Sequence, residues 1–160
     1  LGSGIAKIPA MQAKGITVSL GADGAPCNNN LDMFDEMRLA ALLQKPLHGP
    51  TAMNAEAVFA MATLGGAATL GIANEVGSLE TGKKADIVLL DINRIWNPSS
   101  PKSDDEMYSA IVYSCSPENV HSVMVDGRWV FRNCEHVGLD EEAIVQNAKE
   151  ELRLLLQRVQ

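Results

Sequence analysis

The sequence predicts an α/β protein built in two parts, and three observations carry that prediction. Residues 15–24 (GITVSLGADG) read as a buried strand that runs straight into a turn with a carboxylate at its tip. Residues 31–70 then carry the apolar spacing and the Ala, Met and Leu content of helices. From Gly71 onward the character changes to glycines and apolar strand-like runs, including Ala85 to Asp91 and an Asp126-Gly127 dipeptide.

Taken in order, Gly2 and Gly4 predict a turn, and Pro9, tolerated in a first helical turn, opens a short helix to Lys14 that Gly15 closes. Within 16–20, bulky Ile16, Val18 and Leu20 alternate with small polar Thr17 and Ser19, so the bulky side is expected to pack on helices. If the extended backbone persists through the turn, Asp23 shares the side of Thr17 and Ser19, bracketed by Gly21 and Gly24, which permit a sharp turn and close approach. A carboxylate at the carboxyl end of such a strand is where barrel and open α/β enzymes keep reactive groups; a barrel and a doubly wound sheet look alike at this level.

Ala25 to Asn30 reads as a polar loop, with Asn30 expected to cap a helix from Leu31 to Lys45 that Pro46 ends. Leu31, Phe34, Met37, Ala41 and Leu42 are spaced for its buried stripe. After a connection through Pro50, Asn54 begins a helix over Ala55 to Ala62, followed by a shorter one over Leu64 to Leu70. There Gly65 and Gly66 loosen the segment, and Ala67 and Ala68 predict tight packing. Strands are expected at Ala85 to Asp91, Ile111 to Tyr113, Val120 to Val125 and Arg128 to Phe131, the last two joined by a two-residue hairpin turn at Asp126-Gly127. Asn97 to Pro101 reads as a loop. Asp140 is expected to cap a final helix to about Arg158, with Val145, Ala148, Leu152, Leu155 and Val159 on one face.

Composition narrows the function classes. With 160 residues, 46% of them hydrophobic, the chain can bury one domain-sized core. A net charge of −7 and the absence of a basic run argue against a nucleic-acid partner. No apolar run approaches the roughly 18 residues of a membrane span, and the amino terminus lacks a signal-peptide layout. Three cysteines, Cys27, Cys115 and Cys134, without C-x-x-C spacing fit a reducing compartment, with the cytoplasm as the expected location.

Four stretches carry a more specific likeness: Leu1-Gly-Ser-Gly-Ile-Ala, the Gly21-Ala-Asp-Gly24 tip, residues 28–40 (NNNLDMFDEMRLA) and residues 77–91 (GSLETGKKADIVLLD). Together they resemble the carboxyl-terminal part of a metal-dependent amidohydrolase, in the branch of methylthioadenosine/S-adenosylhomocysteine deaminases and triazine chlorohydrolases. The resemblance implies a carboxyl-terminal fragment of a (β/α)₈ barrel plus part of a small β-sandwich; a whole barrel takes about 250 residues. It divides the chain into 1–70 (last barrel strand and closing helices), 71–139 (half of the composite sandwich) and 140–160 (carboxyl-terminal helix). It also implies that a His-x-His pair and two further histidines lie upstream of this sequence, leaving Asp23 as the one metal ligand here.

By that resemblance Asp23 binds a divalent Zn or Fe ion in the intact enzyme and hydrogen-bonds the attacking water, in a hydrolytic deamination of an adenosine-type N-heterocycle. Taken without the resemblance, an Asp before a Gly is a turn former. Asn28 and Asn29 are candidates to line the substrate pocket, although such a run also supplies turns and caps. His48, His121 and His136 stand in unrelated settings without ligand spacing, and Cys27 reads as a small packed residue. Asp35, Glu36 and Arg38 read as a solvated face or a salt bridge to a neighbouring element. Gly-Ser-Gly at residues 2–4 lacks the phosphate-loop pattern. Alternatives within the resemblance are a chlorohydrolase or a guanine deaminase. A further one is a non-catalytic fragment or assembly subunit. The isolated chain is expected to be inactive and to hold no metal, its partners being the missing amino-terminal portion or further copies of itself.

Overall fold

The computed structural model describes residue 2 and residues 4–95 and 97–159. Leu1 and Ser3 of the amino-terminal motif lie outside the described residues, as does the side chain of Val159 on the terminal helix. Helix α1, Ile8–Ala13, starts one residue before Pro9, which sits in its first turn as expected, and gives way at Gly15, whose φ of +73° a side chain would disfavour. The strand expected over 16–20 does not form. A strand exists by pairing, and no described strand lies beside this segment. Instead the N–H of Ile16 donates to the Met11 carbonyl at 3.1 Å and that of Leu20 to the Met61 carbonyl at 3.4 Å. The alternation acts only in part: Val18 and Leu20 pack against the helical core, whereas Ile16 is exposed.

Helix α2, Met33–His48, is capped by Asp32, whose carboxylate accepts from the Phe34 N–H at 2.8 Å, and not by Asn30. Leu31, expected inside the helix, stands before it at φ +49°. The helix also runs through Pro46, which sits in its last turn; termination falls to Gly49, at φ +93°, whose N–H donates to the Lys45 carbonyl. Met37 and Ala41 are buried as expected, but Leu31 and Leu42 are exposed and Gln44 takes a core position, donating to the Ala6 carbonyl. Helix α3, Ala55–Ala62, is capped by the Asn54 side chain. Helix α4, Leu64–Thr69, buries Ala67 and leaves Ala68 exposed, so close packing holds for only one of the two.

The core is a helical layer formed by Met37, Ala41, Met53, Ala55, Val58, Met61 and Val112. Val112 comes from helix α5, Asp104–Ser114, where a strand is expected over Ile111 to Tyr113. Burial decides the outcome here. Ser103 caps the helix, Asp104, Asp105 and Glu106 favour its amino terminus, and packing on α2 and α3 outweighs the β preference of Ile111 and Val112. Phe59 and Tyr108 meet across α3 and α5 with ring centroids 5.3 Å apart.

The strands form one antiparallel sheet of β1 (Ile87–Leu90), β4 (Val120–Val125), β5 (Arg128–Arg132) and β6 (Glu135–His136), in the order β1-β4-β5-β6. A separate two-residue pair, β2 (Asn93–Arg94) with β3 (Asn97–Pro98), interrupts the expected loop. The β4–β5 turn is made by Asp126 and Gly127, both at positive φ (+47° and +75°), as a hairpin of the right-handed twist requires. Fully buried Asn119, closing the 3₁₀ turn Pro117–Asn119, ties β1 to the end of α5: its amide donates to the Asp91 carbonyl at 2.7 Å and its oxygen accepts from the Ser116 N–H. Helix α6, Glu141–Val159, is capped by Asp140 as expected. Its stripe of Val145, Leu152 and Leu155 is exposed.

Candidate active site

Asp23 ends the core-packed segment that Val18 and Leu20 anchor, and its side chain is exposed. Its φ is +61°, so the extended backbone does not persist through the turn and the alternation that would align it with Thr17 and Ser19 stops one residue early. Aspartate tolerates this left-handed region because its short side chain bonds locally. Here Oδ1 accepts the N–H of Gly24 at 2.7 Å. Such a conformation outside glycine costs of order 1–3 kcal/mol and is found where surrounding structure holds it.

Two features hold it. Gly65 in α4 lies so close that a Cβ there would come within 2.9 Å of the Val18 carbonyl oxygen, so only a glycine lets this helix seat against the segment leading to Asp23. Beyond the tip, the Gly24 carbonyl accepts from both Cys27 and Asn28 N–H, at 2.8 and 3.0 Å, which closes a tight turn. The loop is then pinned to α2: the Asn28 amide donates to Glu36 Oε1 at 2.5 Å, and the Asn30 amide to Asp35 Oδ2 at 3.2 Å. Asp35 also pairs with Arg38 at 2.9 Å, and Arg38 Nη2 donates to the Cys115 carbonyl at 2.6 Å. The helix that pins the loop is thereby joined to the end of α5.

The structure brings Asp23, Asn28 and Asn29 into one loop and leaves the remaining candidates elsewhere. His121 Nδ1 contacts the Ser122 hydroxyl, His136 pairs with Glu141 at 2.7 Å, and His48 is exposed at the end of α2. Cys27 is exposed in the turn after Asp23. Burial pushes the Cys115 thiol above its ordinary range, against a lowering by nearby Arg38. The roles of Glu36 and Arg38 go beyond what their sequence positions convey. Asp35 and Arg38 stand at i, i+3, which signals their pairing, but a bond across 77 positions to a backbone carbonyl leaves no local trace.

Among the described residues no three or more His, Cys, Asp or Glu side chains are grouped to hold a metal ion. Asp23 fits the part of a single oxygen ligand: it is exposed, its Oδ1 is oriented by one N–H, and a carboxylate suits zinc or iron. An open groove lined by Gln12, Ile16, Val18, Met61, Leu64 and Gly65 does not include it. Among the described residues no helix is long and apolar enough to cross a membrane.

Residues 1–130 match the amidohydrolase family model. The 5-methylthioadenosine/S-adenosylhomocysteine deaminase of Acetivibrio thermocellus is 45% identical over 151 residues, covering 94% of this chain and 34% of that protein. The crystal structure of an adenosine deaminase from Xanthomonas campestris with bound zinc superposes with a TM-score of 0.87 at 34% identity, over 94% of this chain and 34% of the other. Atrazine chlorohydrolase from Arthrobacter aurescens complexed with zinc gives a TM-score of 0.79 at 30% identity, over 93% and 32%. The chain thus spans about a third of the length of the curated relatives it matches.

Proposed function

Because the chain belongs to the amidohydrolase family, we propose that it is the carboxyl-terminal part of a metal-dependent hydrolase that deaminates an adenosine-type N-heterocycle. Residues 1–70 would close the barrel, 71–139 would supply half of the sandwich, and 140–160 would form a terminal helix. The observation that carries the chemistry is Asp23, an exposed carboxylate held at positive φ at the end of a core-anchored segment. In the intact enzyme Asp23 would give one oxygen ligand to a zinc or iron ion, with histidines from the portion this chain does not span. When bound, such an ion supplies the Lewis acidity that makes water a nucleophile near neutral pH.

The work of this chain is then proton transfer and placement. Asp23 would accept a proton from the water as its oxygen bonds to the ring carbon bearing the amine, and return it to the amine nitrogen as the carbon–nitrogen bond breaks and ammonia leaves. Asn28 and Asn29 stand beside it in the loop as candidates to meet the heterocycle. Similarity to the deaminase of Acetivibrio thermocellus, at 45% identity, favours an amine over chloride as leaving group; the chlorohydrolase likeness, at 30%, supports the second reading. The same carboxylate would serve either.

The test is Asp23→Asn in the intact enzyme, with ammonia release from methylthioadenosine as the readout. Loss of both the charge and the base is expected to lower turnover by about 10² to 10⁴. Turnover close to that of the unaltered enzyme would place the base elsewhere.

A further inference from the structure

Asn28 and Asn30 are both turned back onto α2, onto the consecutive carboxylates Glu36 and Asp35, while Asn29 between them is exposed and its side chain makes no hydrogen bond among the described residues. An asparagine side chain has two N–H donors and a carbonyl oxygen with two lone pairs. Asn28 commits one of each to the loop itself: its nitrogen donates to Glu36 Oε1 at 2.5 Å, and its oxygen accepts the Asn30 N–H at 3.1 Å. A ligand would reach only the remaining N–H or lone pair of a half-buried side chain that a bond to a carboxylate, the stronger kind of hydrogen bond, keeps turned onto α2.

Glu36 in turn stands on a fixed element. Its neighbour Met37 is buried in the core, its own N–H donates to the Asp32 carbonyl, and Arg38 anchors the same turn to the Cys115 carbonyl. From this geometry we propose that Glu36 is a positioning residue that acts through Asn28, setting the loop after Asp23 so that Asn29, and not Asn28, presents its amide to the ligand. The inference rests on the reading of Asp23 as part of the active site. It divides the two asparagines: one fixes the loop and the other determines specificity. Amide-bearing contacts of this kind suit the ring nitrogens and hydroxyls of a nucleoside-like heterocycle, which offer both donors and acceptors.

Two measurements test it. Amide hydrogen exchange across residues 24–32 in the intact enzyme reads the loop without any substrate. Asn28→Ala and Glu36→Ala are each expected to speed exchange there by about tenfold, the double variant no further, and Glu36→Gln, which keeps an acceptor, much less. Asn28→Asp, which sets a second carboxylate against Glu36, is expected to loosen the loop and to be relieved by Glu36→Gln. In the intact enzyme Asn28→Ala and Glu36→Ala are expected to lower kcat by the same, non-additive factor, whereas Asn29→Ala raises KM. Additive effects, or a rise in KM for Asn28→Ala with Glu36→Ala unchanged, would overturn the proposal. If the intact enzyme hydrolyses no heterocycle, the exchange data still decide the coupling, so failure of the functional reading is seen separately.

Discussion

Gly77 and Ala67 touch so closely that a Cβ built on the glycine would lie 2.8 Å from the alanine Cβ. Gly77 also has φ +97°, and it opens the 77–91 motif where the chain leaves the helical layer for the sheet. Gly82, at φ +94°, has nothing within 4 Å of the same built atom. The two glycines therefore separate backbone strain from contact. Gly82→Ala is expected to cost about 1 kcal/mol through φ alone, and Gly77→Ala a further ~1–3 kcal/mol because α4 must shift. Denaturant midpoints at unchanged slope measure both; equal losses would remove the contact from the account.

Why the hairpin turn and the cap on α3 stand where the sequence puts them, while the strand expected before Asp23 does not form, is a matter of what each feature needs. A turn such as Asp126-Gly127, or a cap such as Asn54 on α3, is set by neighbours a few residues away, and both stand where their residue types put them. The 16–20 segment has the alternation of a strand, and it buries Val18 and Leu20 accordingly, but pairing needs a partner strand that this stretch of sequence does not contain. Ile111 to Tyr113 fail for the opposite reason, since a partner is present: packing of Val112 on α2 and α3 makes helix the better use of β-branched residues. At the proposed site, the motif singles out Asp23 in the sequence, whereas its positive φ and the Asn28–Glu36 bond arise only from the folded loop.

Thiol reactivity is expected to divide the three cysteines. Cys27 and Cys134 are exposed and Cys115 is fully buried, so a soluble thiol reagent should modify two groups per chain rapidly and the third only on unfolding. Fast reaction of all three would show that the α5 terminus opens readily.

The same burial has a pH consequence. Burial raises the Cys115 pKa, with Arg38 opposing it, so the folded state holds this proton more tightly than the unfolded chain does. The contribution to stability is then fully present below the ordinary thiol value of about 8.5 and is lost as pH rises from there through the raised folded value. The fall in unfolding midpoint between neutral and alkaline pH is expected to be smaller in Cys115→Ala. An unchanged fall would assign it to other groups.

Metal retention is expected to depend on the rest of the enzyme. One carboxylate leaves most of a zinc or iron coordination sphere to water, and among the described residues no further group of ligands gathers. Elemental analysis of the purified chain should therefore find far less than one ion per chain. One tightly held ion, lost in Asp23→Asn, would show that these residues build a metal site by themselves.

The final expectation is that this chain is not self-sufficient as a monomer. Segment 16–20 packs one side on the helical core yet has no strand beside it among the described residues, so its remaining backbone groups are available to a barrel neighbour. The sheet repeats the pattern: β1 is an edge strand, and Val88, Leu89 and Val130 are 54%, 44% and 43% exposed. Helix α6 adds Leu152 and Leu155 at 56% and 55%. Scattered apolar residues are ordinary on a surface, but an open strand edge, exposed apolar side chains on both faces of the sheet and an apolar helix stripe on one small chain invite association. Light scattering should find a homo-oligomer, or a separately made amino-terminal portion should bind this chain and restore hydrolase activity. A monomer that unfolds cooperatively at micromolar concentration and ignores that portion would show that the exposed surfaces are tolerated by water, and that 160 residues suffice for a complete unit.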